Sequence, residues 1–202
     1  MHIAVFAKAP VRGRVKTRLA PLLGDDGALA LHRQLIESTL FRARDADLGA
    51  VTLWLDGDPA LPEVRACVQR QRVAVQVQSG ADLGARMQAA FAHTLSQAPA
   101  CLLIGTDCPA LQPQHLQRAA AALTHHEVVL VPAHDGGYVL IGLTRPQPAL
   151  FEDIAWGTDS VLAATRTRIA AAGLRVAELA PLPDLDRPDD YAAALAAGWI
   201  VA

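Results

Sequence analysis

The chain has 202 residues, a length that is typical of one domain and can bury a core without disulfides or structural metals. Its formal net charge of −2 excludes the general attraction to nucleic acid that a strongly basic chain has. Hydrophobic residues make up 52% of the chain, but its most apolar segments, 101–105 and 128–132, are strand-sized and far too short to cross a bilayer. We therefore expect one domain, residues 1–202, without a membrane span.

Cysteine usage and the N-terminal sequence favour a cytoplasmic location. The chain has an odd number of cysteines, and their spacing is not that of metal ligands, which indicates reduced thiols; they are Cys67, Cys101 and Cys108. The N-terminal apolar run ends early, at Lys8, and the first residues do not have the layout of a signal peptide. The sequence gives no indication of the oligomeric state.

Short apolar runs alternate with amphipathic segments along the chain. The runs predict strands at residues 2–7, 50–55, 73–78, 100–105, 128–132, 137–143 and 175–179. The segments between them predict helices at residues 25–44, 62–70, 84–97, 113–123, 159–172 and 188–197. This alternation predicts βαβ units with right-handed crossovers, and therefore an α/β fold, a three-layer α/β/α sandwich with a mostly parallel sheet. The strand at 137–143 is the candidate antiparallel exception.

A basic loop follows the first predicted strand. It contains Gly13, and its basic residues are Lys8, Arg12, Arg14, Lys16 and Arg18, with no acid in residues 1–18. Ligands of an open α/β sheet bind at the carboxyl ends of its strands, and backbone N–H groups beside fixed positive charges suit a polyphosphate. The loop lacks the Walker A and dinucleotide-binding glycine patterns, so an ordinary solvated surface loop explains it as well.

Two acidic positions stand at the expected ligand edge. Asp107 follows the clearest buried strand, 100–105, where its carboxylate suits Mg²⁺, although it could also cap the next turn. Four acids lie within seven residues near the C-terminus, namely Asp184, Asp186, Asp189 and Asp190. Helix capping explains the last two. It does not require the first two, and four such acids repel one another unless a cation lies nearby.

Three further segments have alternative interpretations. Asp135 precedes paired glycines, which let the backbone approach a ligand, but the same residues also form an ordinary turn. Trp156 could line an acceptor pocket or fill the core. Asp82 fits a helix cap and Arg86 a surface charge.

These segments, taken together and in order, resemble a bacterial glycosyltransferase-like family known as radical-SAM/selenodomain-associated transferase 1. The family belongs to the nucleotide-diphospho-sugar transferase superfamily, which has the A-type glycosyltransferase fold. The resemblance extends over nearly the whole chain and rests on residues 6–10 with 16–19, 82–84 with 86–87, 104–109, 132–138, 156–158 and 184–190.

The resemblance implies roles for particular residues. Asp107 and Asp186 would hold Mg²⁺ or Mn²⁺, and Lys16 would join them as a catalytic residue. The nucleotide and its phosphates would be bound by Lys8, Ala9, Pro10, Gly13, Lys16, Arg18 and Asp82. The sugar or acceptor would be bound by Asp135, Gly136, Gly137, Tyr138 and Trp156. The implied partners are a nucleotide or nucleotide sugar and a small-molecule acceptor, not nucleic acid.

Three functions remain open at this point. Glycosyl transfer from a nucleotide sugar is favoured because the first loop lacks the glycine-rich pattern of sugar nucleotidylyltransferases. Nucleotidyl transfer is the alternative, since the chain more distantly resembles the guanylyltransferases for phospholactate and for the molybdenum cofactor. A non-catalytic nucleotide-binding module is the third. A dehydrogenase is disfavoured because the phosphate-loop glycines are absent.

Overall fold

A computed structural model describes residues 1–201 and shows one seven-stranded sheet. Its strands are β1 (His2–Lys8), β2 (Ala50–Asp56), β3 (Ala74–Val77), β4 (Cys101–Gly105), β5 (Val128–Pro132), β6 (Tyr138–Leu143) and β7 (Val176–Glu178). The helices are α1 (Ala20–Asp45), α2 (Pro62–Gln71), α3 (Leu83–Leu95), α4 (Pro113–Ala122), α5 (Val161–Ala171) and α6 (Pro188–Ala196). A 3-10 turn spans Pro148–Leu150.

The strand order is β3-β2-β1-β4-β6-β5-β7, and β6 alone runs antiparallel to its neighbours. The prediction of a mostly parallel sheet with one reversed strand is therefore confirmed. Lys8 at the end of β1 pairs with Asp56 at the end of β2, and Phe6 pairs with Gly105 at the end of β4. The carboxyl ends of these three strands consequently lie along one edge of the sheet.

The two faces of the sheet carry separate apolar layers, as alternation along a strand requires. On one face Ile3 and Val5 pack in a cluster with residues of α1, α2 and α4. On the other face Ala4 and Phe6 pack in a cluster with residues of α3 and α5. The observed architecture is therefore the three-layer α/β/α sandwich that the sequence predicts.

A third, smaller cluster lies beside the carboxyl edge and fixes two loop segments there. It joins Leu19, at the end of the basic loop, to Leu185, just before α6, through Leu35 of α1. Leu19 and Leu35 are completely buried, and Leu185 is nearly so. Because Arg18 and Asp186 are the chain neighbours of Leu19 and Leu185, burying these leucines brings both charged side chains to the same place.

Two helix starts differ in detail from the predicted ones. The first helix includes residues before Asp25, but Gly24 has φ +69° and kinks it immediately before the predicted start. The fifth helix begins at Val161 rather than at residue 159, and the backbone of Asp159 packs directly against Gly136. Among residues 1–201, none of the helices combines the length and apolar composition that a membrane span requires.

Candidate active site

Lys16 lies at the centre of the carboxyl edge and joins the two predicted metal ligands. Its Nζ is 2.8 Å from Oδ1 of Asp107 and 3.2 Å from Oδ1 of Asp186, and its side chain is only 4% exposed. It also donates a hydrogen bond to the carbonyl oxygen of Leu185. The contacts with Asp186 and with the carbonyl of Leu185 are hydrogen bonds, and the contact with Asp107 is an ion pair. Residues from three distant parts of the chain therefore meet at one buried nitrogen.

Asp186 reaches Asp107 because the chain after β7 continues along β5 toward the carboxyl edge. The amide of Leu182 donates to the carbonyl of Pro132 at 3.0 Å, and the amide of Leu185 donates to the carbonyl of Asp107 at 2.7 Å. The carboxylate of Asp190 then accepts hydrogen bonds from the amides of Asp186 and Arg187 at the start of α6. Asp190 is thus a helix cap, as predicted, and it also fixes the backbone of Asp186.

The backbone at Lys16 is in the left-handed region, with φ +47°. A residue with a long side chain rarely adopts this conformation, which persists only where the surroundings hold it. Here the carbonyl of Lys16 accepts from the amide of Leu19 at 2.8 Å, and Val15 beside it is buried. On the far side of the site, Arg18 contacts Oδ2 of Asp186 at 3.2 Å.

These residues line an open cavity of about 680 Å³, a volume in the range of small-molecule sites. Its wall contains several predicted phosphate-binding residues, namely Lys8, Lys16 and Arg18, together with Arg14 and Thr17 of the same loop. Asp107 and Asp186 line the same cavity. The cleft therefore contains a basic loop in direct contact with two carboxylates.

The same cavity is also lined by polar residues for which the sequence predicted no binding role. Arg86, interpreted above as a surface charge, contacts Oδ2 of Asp56 at 2.7 Å across the cleft. Gln78 donates from its amide nitrogen to the carbonyls of Trp54 and Ala7. Asp56 ends a buried strand, and Asp107 likewise follows one, so the same strand-end signal could have identified it.

His32 of α1 was also missed. Its Nε2 lies 2.9 Å from the carbonyl oxygen of Lys8, which makes Nε2 the protonated nitrogen, and the ring lines the cavity. Its Nδ1 is buried and has no hydrogen-bond partner within residues 1–201. Burial lowers the pKa of His32, so the ring is held in its neutral form. A histidine inside an amphipathic helix gives no sequence signal that distinguishes this position.

A second cavity of about 320 Å³ adjoins the first and shares Arg18, Asp186 and Trp156 with it. It is also lined by Asp135, Gly137 and Tyr138, so most of the predicted sugar or acceptor residues do come together. Its remaining wall is largely apolar and contains Phe6, Leu83, Met87, Leu103, Val139 and Val161.

Two of the predicted acceptor residues, Gly136 and Tyr138, expose less to the cavities than the sequence predicts. Gly136 does not line either cavity. It has φ +89° and packs against the backbone of Asp159, where a side chain would not fit. The hydroxyl of Tyr138 is buried with no hydrogen-bond partner among the described residues, and burial raises its pKa. Only the ring of Tyr138 can therefore contribute to the cavity wall.

Four predicted nucleotide-binding residues do not line either cavity, so the geometry of the cavities does not support a binding role for them. The amide of Ala9 donates to the carbonyl of Asp56, which turns the chain away from the cleft, and Ala9 itself is buried. Pro10 lines a separate cavity between α1 and α2, and Gly13 lies near the side chain of Asp25. Asp82 accepts a hydrogen bond from the amide of Ala85 and caps α3, the alternative interpretation given above.

The donor set fits a divalent cation that is shared with a substrate. Within residues 1–201 no group of three or more His, Cys, Asp or Glu side chains could enclose a metal ion. Asp107 and Asp186 supply two hard carboxylate ligands, which is the usual protein contribution when Mg²⁺ completes its shell with phosphates and water. Asp184 lies close by, and burial and then the neighbouring Asp135 raise its pKa, because both disfavour its charged form.

Similarity to a solved structure shows that this protein belongs to the nucleotide-diphospho-sugar transferase superfamily, which fits its sheet order. A protein from Desulfovibrio desulfuricans G20, provisionally named a nucleotide-diphospho-sugar transferase, is 30% identical and has a TM-score of 0.83. The match covers 92% of this chain and 82% of that one. Residues 39–158 match the family described as "Uncharacterized protein conserved in bacteria (DUF2064)", and the chain belongs to this family.

More distant structures share the fold. A nucleotidyl transferase from Methanothermobacter thermautotroptrophicus is 19% identical with a TM-score of 0.65, and the match covers 98% of this chain and 97% of that one. Glucosyl-3-phosphoglycerate synthase from Mycobacterium tuberculosis, solved with Mn²⁺, UDP and glucosyl-3-phosphoglycerate, is 11% identical with a TM-score of 0.57. That match covers 97% of this chain and 76% of the synthase. A search of curated protein sequences gives no match.

Proposed function

We propose that this protein is a divalent-metal-dependent transferase that uses a nucleotide-activated donor, and that it transfers a glycosyl group from a nucleotide sugar to a small acceptor. The observation that carries the proposal is the meeting of Asp107, Asp186 and Lys16 at the end of a cleft that also contains a basic loop. The same-fold synthase from M. tuberculosis, solved with Mn²⁺ and UDP, supports a metal and a nucleotide for this architecture.

Asp107 and Asp186 would hold Mg²⁺ or Mn²⁺ through their carboxylate oxygens. When bound, the metal supplies positive charge that stabilises the diphosphate as it becomes the leaving group. Lys8, Arg14 and Arg18 line the same cavity and would bind phosphate oxygens with fixed positive charge. The half-exposed carboxylate of Asp107 faces the cleft, so the ligand would remain accessible to an entering phosphate.

The second cavity would hold the transferred group or the acceptor. It opens beside Asp186 and contains the exposed carboxylate of Asp135, which can accept hydrogen bonds from hydroxyls. Trp156 lines both cavities and would separate the nucleotide from the acceptor with its half-buried ring. Gly137 would let the backbone approach the bound group closely.

Nucleotidyl transfer from a nucleoside triphosphate is the second candidate. It is favoured by the number of cations in the cleft, because Lys8, Arg14, Lys16 and Arg18 together could bind more phosphate groups than a diphosphate has. The nucleotidyl transferase from M. thermautotroptrophicus shows that the fold accommodates this chemistry. The two candidates differ in the product they release, which is a nucleoside diphosphate in one case and pyrophosphate in the other.

We further propose that residues 1–202 act as a single domain in the cytoplasm on small molecules. The cysteines support this location, because Cys67, Cys101 and Cys108 are all free and buried. Burial raises the pKa of Cys67 to about 11 and the pKa of Cys101 and Cys108 to about 12, so all three are unreactive thiols rather than nucleophiles.

The test is a product assay with Mg²⁺ or Mn²⁺ and separate nucleotide sugars and nucleoside triphosphates, with water as the default acceptor. We expect slow, metal-dependent release of a nucleoside diphosphate from at least one nucleotide sugar, and no release by Asp107→Asn. Pyrophosphate release from a triphosphate would instead support nucleotidyl transfer. Metal-dependent nucleotide binding without either product would favour the non-catalytic binding module.

A further inference from the structure

We propose that Lys16 and the divalent metal occupy the space between Asp107 and Asp186 alternately, so that Lys16 controls when the metal binds. In this view Lys16 is a positioning residue that holds the two carboxylates together before substrate arrives. The metal replaces it only when the phosphates of a nucleotide draw the ammonium away. The inference rests on the proposed function for the assignment of the metal to these two carboxylates.

The ammonium of Lys16 is buried among its three partners in the present arrangement. Its Nζ donates hydrogen bonds to Asp186 and to the carbonyl of Leu185 and forms an ion pair with Asp107 at 2.8 Å, and its side chain is 4% exposed. Because so little of the side chain is exposed, a phosphate in the cleft could approach the ammonium only after Lys16 moves away from at least one of these partners. We therefore expect that Lys16 cannot bind a phosphate and bridge both carboxylates at the same time.

The charges around the two carboxylates also indicate that the metal binds together with a nucleotide. The two carboxylates of Asp107 and Asp186 are already balanced by the ammonium of Lys16 and the guanidinium of Arg18. A divalent cation that entered beside both of them would place an excess of positive charge around two carboxylates, and like charges at such separations repel. A nucleotide brings the negative phosphates that remove this excess. The metal and the nucleotide should therefore strengthen each other's binding.

The backbone of Lys16 is suited to a change of position. Its φ of +47° is unfavourable for a lysine and persists only where surrounding contacts hold it. When the ammonium exchanges its carboxylate partners for phosphate, the loop can relax together with it. Lys8 provides a contrast, because it lines the same cavity but forms no ion pair with Asp107 or Asp186 within the described residues.

The experiment measures Mn²⁺ affinity by electron paramagnetic resonance of free Mn²⁺, with MnCl₂ alone as the probe. The wild type, Lys16→Gln, Lys16→Met and the control Lys8→Gln are compared first without nucleotide. We expect both Lys16 variants to bind Mn²⁺ about tenfold more tightly than the wild type, since the metal no longer displaces a charge-assisted contact. Lys8→Gln should change the affinity much less, because it removes a nearby charge without freeing the carboxylates.

The titrations are repeated with UDP, GDP, CDP and ADP, each added separately. The nucleotide that binds should tighten Mn²⁺ binding to the wild type, and it should tighten binding to the Lys16 variants to a smaller extent. If both Lys16 variants lose their fold by circular dichroism, the wild-type comparison decides alone, and Mn²⁺ affinity that is equal with and without nucleotide contradicts the inference.

The outcomes distinguish this inference from the proposed function. If the Lys16 variants bind Mn²⁺ no more tightly than Lys8→Gln, while the wild type binds Mn²⁺ and a nucleotide, the alternation is wrong and the proposed function stands. If no protein binds Mn²⁺ in the presence of any of the four nucleotides, the metal assignment fails, and the alternation fails with it.

Discussion

The amide of Leu185 donates a hydrogen bond to the carbonyl oxygen of Asp107 at 2.7 Å, and this contact places the next residue, Asp186, beside the end of β4. The side chain of Leu185 is almost completely buried in the cluster next to the basic loop. The position of the Asp186 carboxylate relative to that of Asp107 is therefore set by a backbone hydrogen bond and by the burial of an apolar side chain.

Removing either carboxylate should abolish metal-dependent turnover while the fold is retained. We expect Asp107→Asn and Asp186→Asn each to reduce turnover by roughly a hundredfold or more, as losses of metal ligands and their supports generally do. The fold should persist because Lys16 keeps one carboxylate partner in each variant. The assay is release of nucleoside diphosphate or pyrophosphate. Asp189→Asn is the control, since Asp189 is exposed in the first turn of α6, and it should leave turnover unchanged.

The cap at α6 should link stability to activity. Asp190→Ala removes the acceptor for the amides of Asp186 and Arg187. Loss of such a cap costs about 1 kcal/mol of unfolding free energy, which urea denaturation would measure. Turnover should fall as well, because Asp186 is no longer fixed. Asp189→Ala, one residue earlier in the same turn, should change turnover little, and equal losses of turnover in the two variants would contradict this role of Asp190.

A methyl group at Gly136 should be poorly tolerated. Gly136 has φ +89° and would place a Cβ against the backbone of Asp159, so we expect Gly136→Ala to lower the unfolding free energy by about 1–3 kcal/mol. Gly173→Ala is the matched control, because Gly173 has φ +64° but no atom within 4 Å of the position that a Cβ would take. The difference between the two variants in urea unfolding measures the steric clash alone. If the two lose equal stability, the close contact at Gly136 is not what constrains it.

Protonation of His32 should destabilise the protein at mildly acidic pH. Burial lowers the pKa of His32 below its ordinary value of 6.5, so the unfolded chain takes up a proton at a higher pH than the folded one. The contribution of neutral His32 to the unfolding free energy is therefore fully present above pH 6.5 and is lost as the pH falls through the pKa of the folded state. The unfolding free energy at about pH 5.5 should be lower than at about pH 7.5.

Comparison of two variants isolates the contribution of His32. In His32→Gln the difference in unfolding free energy between the two pH values should shrink, because the titrating group is gone. In His125→Gln, which replaces an exposed histidine after α4, the difference should match the wild type. A wild-type difference retained in His32→Gln would show that another group causes the pH dependence.

The fold was predictable from the sequence because its signals are local. Buried strands such as β4 are short apolar runs, and helix boundaries such as Pro113 and Gly173 carry their own turn chemistry. The position of β6 between β4 and β5 was not predictable. It depends on which strand edges pair in three dimensions, whereas the apolar pattern of residues 137–143 only identifies a strand.

The site was predictable only in part, for a related reason. Asp107 has a local signal, since it follows a buried strand, whereas the role of Asp186 came from a resemblance. The buried contact of Lys16 with both depends on the path of the chain beyond β7. Ala9 shows the converse, because its place in the sequence favoured a binding role that the backbone geometry does not support. It belongs to the right loop, but its backbone pairs with Asp56 and turns away from the cleft.

The metal assignment can be tested by isothermal titration of nucleoside diphosphates into the wild type, Asp107→Asn and Asp186→Asn, with and without Mn²⁺. We predict that Mn²⁺ strengthens binding of at least one nucleotide to the wild type and has no such effect on either variant. Equal strengthening by Mn²⁺ in all three proteins would contradict the claim that these two carboxylates hold the metal that binds the nucleotide.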